Sequence, residues 1–223
     1  MTVKVNQVDK VEILTLQDNY VDVAAFDGNE IVQWALPIKD MEIKNSILAE
    51  HGFSAVVTIY ADDTPRSILF DFGFSEHGAA YNADALEVNL TTVEAMVLSH
   101  GHMDHFGGLE QLAERVGKKG IDLVLHPTAF RKLRYIKVAD DFKIKLPGLT
   151  REKFENAGVR IFESETPRTL LDDYVLFLGE VPKQTEFEKG FPKMHFDEDG
   201  ESKWDPIEED TAIVVHVKGK GLV

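Results

Sequence analysis

Residues 98–108 read LSHGHMDHFGG and place His100, His102, Asp104 and His105 within a stretch of six residues. Imidazole nitrogens and a carboxylate, with no thiolate among them, form a donor set suited to zinc, iron or manganese. In extended backbone, side chains two apart point the same way. His100, His102 and Asp104 therefore share one phase, and His105 steps to the other side, where it can reach a neighbouring ion. Gly107 and Gly108 follow and permit a close backbone path into the next helix. Two plainer readings stand beside this one. The histidines could be unrelated surface groups, and Asp104 could cap a helix beginning near Phe106.

The elements that must carry this cluster can be read from periodicity. VEAMVLSH is an apolar run with strand character, and it delivers the histidines at its end. LEQLAERVG has leucines at helical spacing and stops at a glycine. Before the cluster, VEILTL reads as an opening strand. FSAVVTIY, the turn residues ADDTP and RSILFDFG read as a hairpin. Ala80 to Val88 reads as a short helix. After the cluster, IDLVLHP is a strand, TREKFENAG a helix, GVRIFES a strand, TLLDDYVLFLGEVP a hairpin pair and DTAIVVHV a strand. KGKGLV reads as a turn and the start of one more strand. Strands outnumber helices and several are nearly continuous apolar runs, which predicts an α/β (α+β) chain with sheets covered by helices. Residues 182–210 stand apart as a long insertion within one domain spanning 1–223. They are rich in charge, glycine, proline and aromatics, with little periodicity, the pattern of a functional or disordered loop.

Composition narrows the function. The 223 residues carry a net charge of −15, which argues against nucleic acid or an anionic membrane as a partner. A small anionic substrate stays open, because a bound metal reverses the local field. There is no cysteine, so disulfides, thiolate metal sites and thiol nucleophiles are excluded. The N-terminal residues lack a signal-peptide core and no run has the length of a membrane span, which predicts a cytoplasmic protein.

The remaining histidines and carboxylates are weaker candidates. Asp71, at the end of ILFDFG, either orients a ligand histidine or caps a strand end. Asp18 and Asn19 either line a rim or form an Asx-type turn. His126 ends a strand and is not expected to ligate. His216 alternates with valines and belongs on a sheet face. His51 and His77 lie in turn-like contexts, on the surface or behind ligands. His195, in the long insertion, is solvated or touches substrate if that loop closes over the site. Phe187, Phe191, Phe196 and Trp204 either line a pocket or pin the insertion to the domain.

SHGHMDHFGGL resembles the signature of the metallo-β-lactamase superfamily, and LFDFG is similar to that superfamily's strand ending in Asp-x-Gly, here Asp71 and Gly73. The pieces TLQDN, EHGFS, LHPTAF, LGEVP and EEDTAIVVHVKGKGLV resemble one branch, the β-lactamase superfamily II metal-dependent hydrolases. That branch includes proteins like the dihydropterin ribofuranosylaminobenzene phosphate synthase. The resemblance implies a four-layered αββα sandwich and two divalent metal ions, zinc first, with iron or manganese as alternatives. His100 and His102 would hold one ion, and Asp104 and His105 the other. Asp104 would also orient the attacking water or accept its proton, which makes it the catalytic residue. The implied activity is hydrolysis of a small, phosphorylated or pterin-like metabolite. Family members supply further histidines after the strand that here begins GLV. The expectation is therefore a missing C-terminal part. Two alternatives remain: a non-catalytic remnant binding metal or a partner, and a di-iron oxidoreductase of the same fold.

Overall fold

A computed structural model describes every residue except Met1, Phe26 and Lys189. Its largest sheet has six strands in the order Val159–Glu163, Ile121–Leu125, Val93–Val97, Thr64–Phe70, Ser54–Ala61 and Lys10–Gln17. The first four run parallel, and the last two pairings are antiparallel. The hairpin expected around ADDTP is the Ser54–Ala61/Thr64–Phe70 pair. Parallel strands buried on both faces need apolar residues throughout, which is why VEAMV and IDLVL lack clean alternation.

Four helices are described: α1 Gly78–Ala85, α2 Met103–Phe106, α3 Leu109–Val116 and α4 Arg151–Ala157. The apolar stripe of α3, Leu109, Leu112, Ala113 and Val116, is buried against one face of the large sheet. Helix α4 begins where the Thr150 hydroxyl accepts from Lys153 N, an N-cap that satisfies a free helix-start donor. Ala79, Ala80, Ala83 and Phe106 join the same core.

The opposite face of the large sheet packs on a second sheet, ordered Gln7–Val8, Ile213–Val217, Val175–Phe177 and Arg168–Leu170, with Gly221–Leu222 paired to Ile213–Val217. Ile59, Ile68, Val97 and Val124 meet Val175, Phe177, Val215 and Val217 between the sheets. The buried apolar residues of all four helices fall in the first core. The layers seen among the described residues are therefore helix, sheet, sheet, which gives three of the four expected.

Residues 182–210 differ from expectation. They contain a hairpin, Met194–Glu198 and Glu201–Trp204, turning at Asp199 and Gly200, both at positive φ. Asp-Gly in a two-residue loop is a strong hairpin signal, but the flanking strands have too little apolar content to show periodicity. This hairpin pairs through Met194–Phe196 with Arg134–Ala139, which pairs in turn with Phe142–Lys145, giving a four-stranded sheet. Phe196 is buried beneath the Arg131 guanidinium, 4.1 Å from the ring centre, and pins the hairpin down. Phe187 is exposed, and the Trp204 indole donates to Phe191 O at 3.3 Å.

Candidate metal centre

Three neighbouring parallel strands end at Phe70, Val97 and Leu125, so Asp71, the 98–108 loop and His126 emerge on one edge of the sheet. Asp71 N still bonds Val97 O at 2.9 Å, and Leu98 N bonds Val124 O at 3.0 Å, which fixes the loop's departure point. The carboxyl ends of parallel strands are where α/β sheets place their sites. The loop then turns into α2. A Cβ on Gly107 would lie 1.6 Å from Phe74 O, so only glycine lets the backbone pass there.

Within the loop, one donor atom each from His100, Asp104 and His105 lies within 4.8 Å of the others. The rings of His100 and His105 are 4.1 Å apart at their centres, and those of His100 and His102 4.8 Å. His105 Nε2 is 3.6 Å from Asp104 Oδ2. The structure thus brings the donor atoms of His100, Asp104 and His105 together, while His102 stands beside them, its ring against that of His100 but its nitrogens outside that group. The His100 ring lies nearer to that of His105 than to that of His102. Asp104 does not act as a cap: His102 occupies the position before α2. The Asp104 carboxylate instead faces His51 Nε2 at 3.2 Å.

Asp71 is buried, with φ of 57°, a left-handed conformation that aspartate tolerates. Its Oδ2 accepts from His105 Nδ1 at 2.7 Å and from the Ser99 hydroxyl at 2.7 Å, while Oδ1 accepts from Ser99 N at 2.7 Å. The Ser99 hydroxyl, donating to Asp71, is left to accept from His100 Nδ1 at 3.0 Å. Both imidazoles then carry their proton on Nδ1 and keep the Nε2 lone pair free, the arrangement that a histidine ligand needs.

The charges follow from burial and neighbours. Burial holds the His100 pKa well below its ordinary value, aided by the adjacent His105 and His102. Burial also lowers His102, with Arg134 acting in the same direction. For His105, burial pulls downward, but the hydrogen bond to Asp71 and its charge prevail and the net shift is upward. Asp71 is raised by burial, against the opposing pull of His105. Neutral imidazoles at His100 and His102 are ready donors. His102 Nε2 is moreover buried without a hydrogen-bond partner, and an orphaned buried nitrogen beside carboxylates fits a metal better than solvent. The residues present therefore fit a divalent cation.

Other candidates divide. Asn19 Oδ1 lies 2.8 Å from His51 Nδ1, so Asn19 orients a rim histidine, while Asp18 Oδ1 takes Asn19 N in an Asx-type contact. His126 is buried, with Nδ1 on the Thr128 hydroxyl at 2.9 Å. His216 lies on its strand beside Gln7. His195 lies on the Met194–Glu198 strand, its ring stacked on Tyr135 at 5.9 Å, and no contact joins it to the cluster among the described residues. Sequence reasoning passed over Ser99, Arg134, Asp205 and Glu209. Ser99 and Glu209 lie inside the pieces SHGHMDHFGGL and EEDTAIVVHVKGKGLV that carry the family resemblance, whereas Arg134 and Asp205 belong to no such piece.

Comparison with known proteins gives the family. Residues 51–185 match the family model of the metallo-beta-lactamase superfamily. The chain belongs to that superfamily. It is 25% identical over 233 residues to the 7,8-dihydropterin-6-methyl-4-(beta-D-ribofuranosyl)-aminobenzene-5'-phosphate synthase of Methanocaldococcus jannaschii, covering 100% of this chain and 69% of that protein. It is 28% identical over 176 residues to the uncharacterized protein MJ0448 of the same organism, covering 74% of this chain and 59% of that one. The crystal structure of Tm1679, a metal-dependent hydrolase of the beta-lactamase superfamily, superposes with a TM-score of 0.60 at 20% identity, over 96% of this chain and 64% of that chain. The chain thus spans under two thirds of the length of two of these three proteins. None of the described helices is long and apolar enough to cross a membrane.

Proposed function

We propose that this chain carries out metal-dependent hydrolysis of a small phosphorylated or pterin-like metabolite in the cytoplasm. His100, His102, Asp104 and His105 are the ligands of two divalent ions, zinc first. The observation that carries this reading is the meeting of the His100, Asp104 and His105 donor atoms within 4.8 Å, over a buried carboxylate that sets the histidine tautomers. Divalent ions held there supply Lewis acidity that polarises the scissile bond and lowers the pKa of water.

The chain's own groups do the rest. Asp71 holds the Nδ1 proton of His105, and the Ser99 hydroxyl holds that of His100, so that neither ring rotates away from the centre. Asp104 Oδ2 lies 3.2 Å from His51 Nε2 and 3.6 Å from His105 Nε2, and its role is to orient a water or take its proton. His51 is 71% exposed and lies on that carboxylate, where an incoming substrate would pass. The acidic surface, at −15, supports a small-molecule partner over nucleic acid or membrane.

One observation favours a second reading: the M. jannaschii relative is named a synthase. Bond formation could use the same polarisation and the same Asp104 base with an acceptor other than water.

The first test is elemental mass spectrometry after exhaustive dialysis, on the wild type and on His102→Ala with Asp104→Ala. Close to two ions per chain, lost in the variant, is the expected result, followed by hydrolysis of bis(p-nitrophenyl) phosphate by the loaded protein. No retained metal in the wild type would sink the metal reading. Full metal without hydrolysis of phosphate or ester probes would turn the work to the synthase reading.

A further inference from the structure

Arg134, Asp205 and Glu209 are almost wholly removed from solvent, at 2%, 0% and 0% exposure. Desolvating charges is expensive, and replacing a buried ion pair by apolar residues of similar volume is often neutral or even stabilising. Stability alone is therefore a poor account of why three charges sit here. What they share is one peptide segment. Arg134 Nη1 donates to Gly101 O at 2.8 Å, and Gly101 N donates to Glu209 Oε1 at 3.3 Å. Arg134 Nη2 closes the ring by pairing with the same Glu209 oxygen. Gly101 is thus gripped through both its N–H and its carbonyl, and it is the residue between His100 and His102.

The grip is backed on both flanks. Asp205 accepts from Arg134 Nε at 2.7 Å and from Arg131 Nη1 at 2.9 Å, and its Oδ2 lies 4.0 Å from His102 Nε2. Thr211 N donates to Ser99 O at 3.2 Å, the second loop residue that the 205–211 segment holds. There is no slack at the centre. A Cβ on Gly101 would lie 2.1 Å from Ala129 O and 2.6 Å from Arg134 Nη1.

We propose that the buried Arg134–Glu209 pair, backed by Asp205, is a clamp on Gly101 that sets the spacing of His100 and His102 and hence the affinity of the centre for metal. Arg134 and Glu209 are positioning residues that act through the Gly101 backbone, and Asp205 holds Arg134 in place. The inference rests on the metal-binding reading above and adds that ligand geometry is imposed from outside the histidine motif, by segments 33 and 108 residues away in sequence.

The experiment uses the full chain. Zinc affinity is measured by competition with a chromophoric chelator, and the visible spectrum of the cobalt-substituted protein reports ligand geometry. The variants are Glu209→Gln, which keeps shape and an acceptor but removes the charge, Arg134→Lys, which loses the fork, and Phe177→Ala. Phe177 lies in the core between the sheets, away from the loop, and serves as a control for destabilisation alone. All are assayed at a temperature where circular dichroism shows them folded. The clamp predicts zinc binding weakened about 10–100-fold in both clamp variants, with an altered cobalt spectrum. Phe177→Ala should lower Tm and leave both readouts in place. Wild-type affinity and spectrum in the clamp variants would overturn the proposal, as would an equal loss in Phe177→Ala. Failure of both clamp variants to fold would also overturn it, in favour of a folding role. If the wild type itself binds no zinc, the metal reading fails first, and that outcome is distinct from all the others.

Discussion

The histidine loop is held from two sides, and the two sides work differently. On the sheet side, Asp71 acts on side chains: it takes the Nδ1 proton of His105 directly and reaches His100 through the Ser99 hydroxyl. On the far side, Arg134 and Glu209 act on backbone, gripping Gly101 from both of its polar groups. The first fixes which nitrogen of each ring is free, and the second fixes where the rings start. Orientation and spacing are separate requirements of a metal site, and this molecule meets them with separate buried carboxylates. Damage to one side should therefore leave a different signature from damage to the other.

The largest expected effect is on the sheet side. Asp71→Ala strands the Ser99 N–H and the Ser99 hydroxyl proton in a buried site and leaves His105 Nδ1 only its longer contact with Ser99 Oγ at 3.3 Å. Each unsatisfied buried group costs about 1–3 kcal/mol, so chemical denaturation should show a loss of several kcal/mol along with loss of metal. Asp71→Asn sharpens the comparison. An amide still accepts from Ser99, but if its NH2 faces His105 the ring must shift its proton to Nε2 and can no longer donate there. Metal binding should then fall about 10–100-fold with a much smaller stability change than in Asp71→Ala. Zinc affinity equal to wild type in Asp71→Asn would break the tautomer account.

Next in size is the far side, where Gly101→Ala should lower Tm by several degrees, because its Cβ cannot be accommodated without moving Ala129 or Arg134. A Tm within a degree or two of wild type would mean that this wall yields, and the case for a rigid clamp would weaken with it. The exposed part of the 182–210 segment gives the smallest of these structural effects. Phe187 is 86% exposed, so Phe187→Ala should change stability by no more than about 0.5 kcal/mol. A larger loss would show that this ring packs against the rest of the chain in solution.

The same contrast explains what the sequence could and could not disclose. Asp71 and the four motif residues belong to two short stretches at the ends of adjacent strands, each a local pattern of apolar run followed by polar cluster. Local patterns are legible because strand ends deliver their next residues to a common edge. Arg134 and Glu209 belong to no such pattern. Arg134 opens a strand whose partner Phe142–Lys145 is exposed throughout, so the pair has no apolar stripe to betray it. Its other neighbour, Met194–Glu198, is some 60 residues on, and such a pairing leaves no trace in either stretch alone. His195 lies on that same strand, with its ring stacked on Tyr135. The central sheet was readable from its apolar runs and α3 from the helical spacing of its leucines. The 194–204 hairpin carried one overlooked cue, Asp199-Gly200, set between strands too polar to support it.

The pH dependence of the metal-free protein separates the loop's histidines by sign. Burial holds the folded pKa values of His100 and His102 below the ordinary 6.5. Below pH 6.5 the unfolded chain therefore binds protons that these two folded residues refuse, and their contribution to stability falls as pH drops. His105 is shifted upward by Asp71, so its contribution is fully present below 6.5 and is lost as pH rises through its folded value. With metal removed by chelator, Tm followed between pH 5 and 8 should fall on the acid side through His100 and His102, and on the alkaline side through His105. His100→Gln and His102→Gln should each flatten the acid limb and leave the alkaline limb, whereas His105→Gln should do the reverse. Since all three variants retain Asp71, its own titration, raised by burial, is common to the His100 and His102 comparisons and drops out of the difference between them. An acid limb unchanged in both of those variants would mean that the rings are solvated before metal arrives, and that neither buried carboxylate holds the loop closed without it.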